Sequence, residues 1–78
     1  MTTDALCTLL LTEPSPFIEA RRLLGRQGQD AYWVTHWLYL DKRCCIVDED
    51  YTGTRCRHSL ADFYDRYAAY CWRVDCKM

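Results

Sequence analysis

Sulfur and imidazole are the most reactive groups in this 78-residue chain: Cys7, Cys44, Cys45, Cys56, Cys71 and Cys76, with His36 and His58. Thiolate and imidazole are the ligands of structural zinc, which are usually supplied in pairs with about two to four residues between them. Cys71 and Cys76 approach that spacing. Cys56 and His58 would point to one side of a strand and form a half-site. Cys56, His58, Cys71 and Cys76 are therefore a conceivable zinc set, although the usual knuckle spacing is missing. Cys44 and Cys45 are adjacent, so in a strand they point apart and cannot chelate together. The plainer reading makes cysteine a small buried hydrophobe, with no metal and no cofactor expected.

Catalytic chemistry has little to build on. Cys56 and His58, two apart on a strand, lie roughly 7 Å apart at Cα and make a poor thiolate pair. His36 sits inside an apolar run and reads as a hydrogen-bonded core residue. Gly-rich phosphate loops, Gly-x-Ser-x-Gly and His-Glu-x-x-His are all missing. No catalytic residue is assigned and no enzyme is expected.

The acids Asp48, Glu49 and Asp50 could ligate a hard cation, but Tyr51 to Leu60 does not supply the remaining ligands of a calcium loop. An Asp-rich turn is the simpler account. Arg21, Arg22 and Arg26, and then Arg55 and Arg57, could contact phosphate. Against that, Lys plus Arg is 10 and Asp plus Glu is 11, a formal net charge of −1. That balance argues against both a strongly basic nucleic-acid binder and an acidic DNA mimic.

The elements that would position these groups follow from patterning. Residues 5–12 alternate Cys7, Leu9 and Leu11 against Leu6, Thr8 and Leu10, and read as a strand. Ser15 and Pro16 suit a helix start, so a helix is expected over 16–24, with Gly25 and Gly28 as stop signals. Residues 31–40 are the clearest strand, rich in aromatic and β-branched residues. Cys44 to Val47 and Thr54 to His58 read as two further strands, with Gly53 in the turn between them. Ser59 opens a helix from Leu60 to about Arg73. Its stripe is Leu60, Phe63, Tyr64, Tyr67, Cys71 and Val74, and Asp62 faces Arg66 one turn on.

The order is thus (β)-α-β-β-β-α. It predicts one α+β domain over 1–78, with a small antiparallel sheet of three to four strands packed on two helices in two layers. The order departs from βαββαβ, and the aromatic-glycine signature of the RNA-recognition sheet is missing.

In that arrangement Val34, His36 and Leu38 face the helices. Trp33, Thr35, Trp37 and Tyr39 face away, with Arg55 and Arg57 alternating against Cys56 and His58. Trp and Tyr in a patch are typical of protein interface hot spots, and also stack on single-stranded bases. Large uncovered apolar patches are uncommon on monomers, so Trp33, Thr35, Trp37, Tyr39, Arg55 and Arg57 are the candidate partner-binding residues. A second copy of the chain is one candidate cover.

Six cysteines in so short a chain fit a secreted disulfide scaffold. Two features oppose that reading. Met1 to Asp4 bring an acid and no Lys or Arg before a short apolar run, unlike a secretory signal, and half of the chain is apolar. A cytoplasmic chain with reduced thiols is expected, with no membrane-spanning stretch. Its expected function is protein binding without catalysis. Small free-standing domains of this kind are frequent among phage and mobile-element products that block a host machine, as anti-CRISPR inhibitors do. A small nucleic-acid-binding or regulatory protein and a zinc-stabilised module are the alternatives.

Overall fold

The computed structural model describes residues 1–12 and 17–74. The order is α1 (Thr3–Thr12), β1 (Ile18–Gln27), β2 (Asp30–Leu40), β3 (Ile46–Asp50), β4 (Arg55–His58), α2 (Leu60–Tyr67) and β5 (Trp72–Val74). All strand pairs are antiparallel, in the order β4-β3-β2-β1-β5. The architecture is α+β in two layers, as the patterning predicts, with five strands rather than three or four.

β3 starts and ends later than the expected Cys44 to Val47, and three other elements differ in type or extent. Residues 5–12 are helical, not extended. Thr3, Leu6 and Leu10 are buried at helical spacing, and the Thr2 hydroxyl accepts the Ala5 N–H at 3.1 Å as a cap. The Cys7/Leu9/Leu11 alternation hid that stripe, and Leu11 is in fact exposed.

The segment expected as a helix over 16–24 is mostly strand β1; its first residue, Pro16, lies outside the described residues. Leu, Ala and Arg favour helix locally, but β1 lies between β2 and β5 and gains two ladders there, so tertiary pairing overrides propensity. Gly25 is a register break after Leu23 rather than a helix stop. Gly28, at φ 63°, opens the two-residue hairpin loop to β2, where positive φ is favoured.

The second helix ends at Tyr67, well before Arg73. Leu60, Phe63 and Tyr67 hold the predicted stripe, but Tyr64 and Cys71 are exposed. The chain turns at Ala68 and Ala69, and Trp72 to Val74 add a strand beside β1. The main-chain bonds Trp72 N–H to Met1 O (2.8 Å) and Leu23 N–H to Cys71 O (2.9 Å) anchor that strand. The start is as predicted: Ser59 Oγ accepts the Asp62 N–H at 3.1 Å. Asp62 then takes His58 as its partner, at 3.2 Å, instead of Arg66.

The core lies between the helices and one sheet face. Leu6 and Leu10 of α1 and Phe63 of α2 meet Ile18, Ala20, Leu38, Ile46 and Trp72. The strand members all share one side, since Ile18 pairs with Leu38, Leu40 with Ile46, and Arg22 with Trp72. Phe63 stacks on Trp72 with centroids 5.9 Å apart, and Trp72 Nε1–H donates to Thr3 Oγ1 at 2.9 Å. Among the described residues no helix is long and apolar enough to cross a membrane.

Candidate functional site

With both helices on one side, the opposite sheet face is open among the described residues. Strand alternation places Trp33, Thr35, Trp37 and Tyr39 of β2 on that face, and Arg55 and Arg57 of β4 with them. The six residues predicted as a binding surface therefore share one side of the sheet.

The register arranges them in rows. One row runs Arg55, Glu49, Trp37, Glu19 across four strands, and the next runs Arg57, Val47, Tyr39. Trp37 thus stands between two glutamates. Arg55 Nε lies 3.4 Å from Glu49 Oε2, and Arg57 pairs with Asp41 at the end of β2. These exposed pairs orient the arginines and contribute little to stability. Thr35 is opposite Arg21 and Trp33 opposite Leu23, further along the sheet.

A cleft of about 610 Å³ opens at the Trp37 end. Its apolar walls are Phe17, Trp37, Tyr39 and Tyr51; Glu49, Asp50 and Arg55 complete it with Gly53. Phe17 and Tyr51 were not among the predicted residues, and both are exposed. Phe17 belongs to the open face because β1 continues its alternation with Glu19, a signal lost once the segment is read as helix. Tyr51 begins the β3–β4 turn, which periodicity does not orient. Of the six predicted residues, Trp37, Tyr39 and Arg55 line the cleft, and Trp33, Thr35 and Arg57 do not.

The three acids predicted as a turn are strand residues with three different environments. Asp48 is buried on the helix side, Glu49 is on the open face, and Asp50 caps the turn. Asp50 Oδ1 accepts the N–H groups of Thr52 (2.9 Å) and Thr54 (3.0 Å) and the Thr52 hydroxyl. The side-chain bond from Thr52 is the main reason its carboxyl is held below the usual range. Gly53, at φ 85°, takes the position that needs positive φ.

A second polar cluster lies under α2. His36 is 4% exposed, on the core face as predicted. Arg22 Nε–H donates to His36 Nε2 at 3.1 Å, which leaves His36 Nδ1–H to donate to Asp48 Oδ1 at 2.8 Å. The Tyr67 hydroxyl donates to Asp48 Oδ2 at 3.3 Å. Burial, and then the Asp48 charge, raise the Tyr67 pKa. The Arg22 guanidinium also lies over the Tyr67 and Tyr70 rings, 5.2 and 4.6 Å from their centroids. Both nitrogens of His36 are engaged, so this dyad holds four elements together and presents no lone pair for general-base work.

The cysteine groupings change with the topology. Cys56 and His58 share a side of β4, but Cys71 adjoins β5 at the other edge of the sheet. Four strand spacings, roughly 19 Å, separate those edges, so Cys71 cannot complete a site with Cys56 and His58. Cys76 lies outside the described residues. No group of three His, Cys, Asp or Glu able to hold a metal occurs among the described residues. Cys44 and Cys45 belong to the β2–β3 turn rather than to a strand, and Cys44 has φ 60°. The arginines expected on one helix are dispersed. Arg21 is on the open face, Arg22 on the core face, and Arg26 beyond the register break.

No protein-family model, curated protein or solved structure matches the chain.

Proposed function

We propose that this protein is a non-catalytic binding module whose open sheet face docks on a protein partner. One observation carries the reading: an aromatic cleft lies on the sheet face that neither helix covers, built by Phe17, Trp37, Tyr39 and Tyr51. Two helices on one side suffice for the core, so these aromatics are not needed to close it. Trp and Tyr, each able to bury about 150–250 Å², are the residues most often found at binding hot spots.

Charge favours protein over nucleic acid as the partner. A base-stacking platform needs cations beside its aromatics. Here the register neighbours of Trp37 are Glu19 and Glu49, and Arg55 is engaged by Glu49. A phosphate backbone crossing Trp37 would meet two carboxylates.

In this reading the protein works in the reducing cytoplasm, which keeps its thiols free, and acts by covering a partner's working surface. That is the mode of small phage or mobile-element inhibitors of host machines. The test is affinity capture from the native host with wild-type and Trp37→Ala baits, with light scattering for self-association and oligonucleotide titration alongside. A specific protein lost from the Trp37→Ala bait supports the reading. A salt-sensitive oligonucleotide shift in the micromolar range would replace it with nucleic-acid binding.

A further inference from the structure

The open-face cleft has a chemical bias that docking alone does not require. Its walls are aromatic and its polar rim is mostly acidic. Glu19 and Glu49 flank Trp37 in register on either side, and Asp50 sits at the end of the same strand as Glu49. The single cation among the described lining residues is Arg55, whose Nε is 3.4 Å from Glu49 Oε2. The face of an aromatic ring is electronegative and attracts an ammonium or guanidinium within about 6 Å of its centroid. Carboxylates at the same place add to that attraction and repel anions. Aromatic walls also accommodate the aliphatic stem of a long basic side chain.

We propose that this cleft is the receptor for a basic side chain, lysine or arginine, of the protein partner. The proposal rests on the docking function proposed above and names the chemistry of its contact. Trp37 is the ring on which the cation sits, and Glu49 is its counter-ion. Arg55 is the built-in competitor: its guanidinium already occupies Glu49, as the partner's cation would. Removing Arg55 therefore deepens the negative field of the cleft, while removing the Glu49 charge weakens it.

The test uses choline as the cationic probe and 3,3-dimethylbutanol as its uncharged isostere. Each is titrated into the folded chain while the indole N–H resonance of Trp37, assigned with W37F, is followed. Choline is expected to bind in the millimolar range, about tenfold tighter than the alcohol. Glu49→Gln is expected to weaken choline about threefold, and Arg55→Ala to tighten it about twofold. Both positions are on the surface, and the tertiary signal of buried Trp72 reports that each variant is folded. Equal binding of the two probes, no movement of Trp37, or weaker choline binding by Arg55→Ala overturns the proposal. Partner capture that depends on Trp37 without choline binding overturns the cation receptor alone. Choline binding with capture unchanged by Trp37→Ala overturns the docking function, and with it the assignment of the cation to a partner.

Discussion

His36 and Asp48 meet diagonally across β2 and β3, with Nδ1 2.8 Å from Oδ1 and both side chains almost wholly out of solvent. The direct register partners are different, Leu38 for Asp48 and Asp50 for His36. The diagonal contact leaves Asp48 Oδ2 for Tyr67 and His36 Nε2 for Arg22. A neutral imidazole thus links a cation to an anion, and the chain of bonds ties β1, β2, β3 and α2. Every described buried side-chain N or O atom has a partner.

Removing the charge from this network is costly, because His36 Nδ1–H and the Tyr67 hydroxyl both donate to the Asp48 carboxylate, and an amide offers only one oxygen to accept them. Asp48→Asn is expected to lower stability by about 2–3 kcal/mol, measured by urea denaturation. A loss below about 0.5 kcal/mol would mean that the network does not support the fold.

Tyr67 gives the network an alkaline limit. Its folded pKa is raised above the ordinary value of 10.0, first by burial and then by Asp48. The unfolded chain therefore ionises this phenol at lower pH than the folded chain does. Its contribution is complete below pH 10 and is lost as pH rises through the folded value. Stability measured from pH 9 to 11.5 should fall more steeply in wild type than in Tyr67→Phe. Parallel curves would remove Tyr67 as the cause.

The parts of this fold legible in the sequence are those where local preference and tertiary demand agree. In β2, aromatic and β-branched residues alternate with a two-sided environment, so its face assignment transfers directly to the structure. At Ser59 the cap is a local hydrogen bond and is likewise readable. The segment after Pro16 fails because its Leu, Ala and Arg favour a helix that the sheet does not use. Helical spacing over that segment takes Phe17 out of the site, separates Glu19 from Trp37, and puts Arg22 on a surface instead of against His36. The end of α2 fails for another reason: Cys71 and Val74 continue a helical spacing, while the burial of Trp72 favours a strand. Tyr51 could not be placed, because no periodicity orients a turn.

The β2–β3 turn carries strain at a residue that need not bear it. Cys44 has φ 60°, where a Cβ crowds the backbone and glycine does not. Cys44 is also exposed. Cys44→Gly is expected to raise stability by about 0.5–1 kcal/mol, and Cys44→Val to lower it by at least as much, both read as shifts in urea midpoint. A destabilised glycine variant would show that the cysteine side chain contributes a contact that outweighs the strain.

Asp41 holds the same turn and gives it an acid limit. Its carboxylate accepts the N–H groups of Cys45 and Arg43, each at 2.9 Å, and pairs with Arg57. The Cys45 bond is the largest cause of its lowered pKa, with the Arg43 bond and Arg57 adding to it. The folded chain therefore keeps this charge at a pH where the unfolded chain has lost it. The contribution is complete above the ordinary value of 3.8 and disappears as pH falls through the folded value. Asp41→Asn should flatten the acid limb of the stability curve below pH 4. An unchanged limb would assign acid sensitivity to other carboxylates, Asp50 first among them.

Two tryptophans separate folding from binding. Trp72 is 2% exposed, stacks on Phe63 and donates to Thr3, so Trp72→Ala leaves a cavity in the core and removes one of the two hydrogen bonds of the Thr3 hydroxyl. Its expected cost is about 3–5 kcal/mol, enough to unfold a domain of this size at moderate temperature. Trp37 sits on the open face, where its removal takes away cleft wall but no core contact. Trp37→Ala is expected to lower stability by about 1 kcal/mol or less and to weaken partner binding by about 2 kcal/mol or more. Thermal denaturation and partner titration on the same two variants decide the matter. If Trp37→Ala unfolds the chain as Trp72→Ala does, the open face is part of the core and the docking function loses its surface.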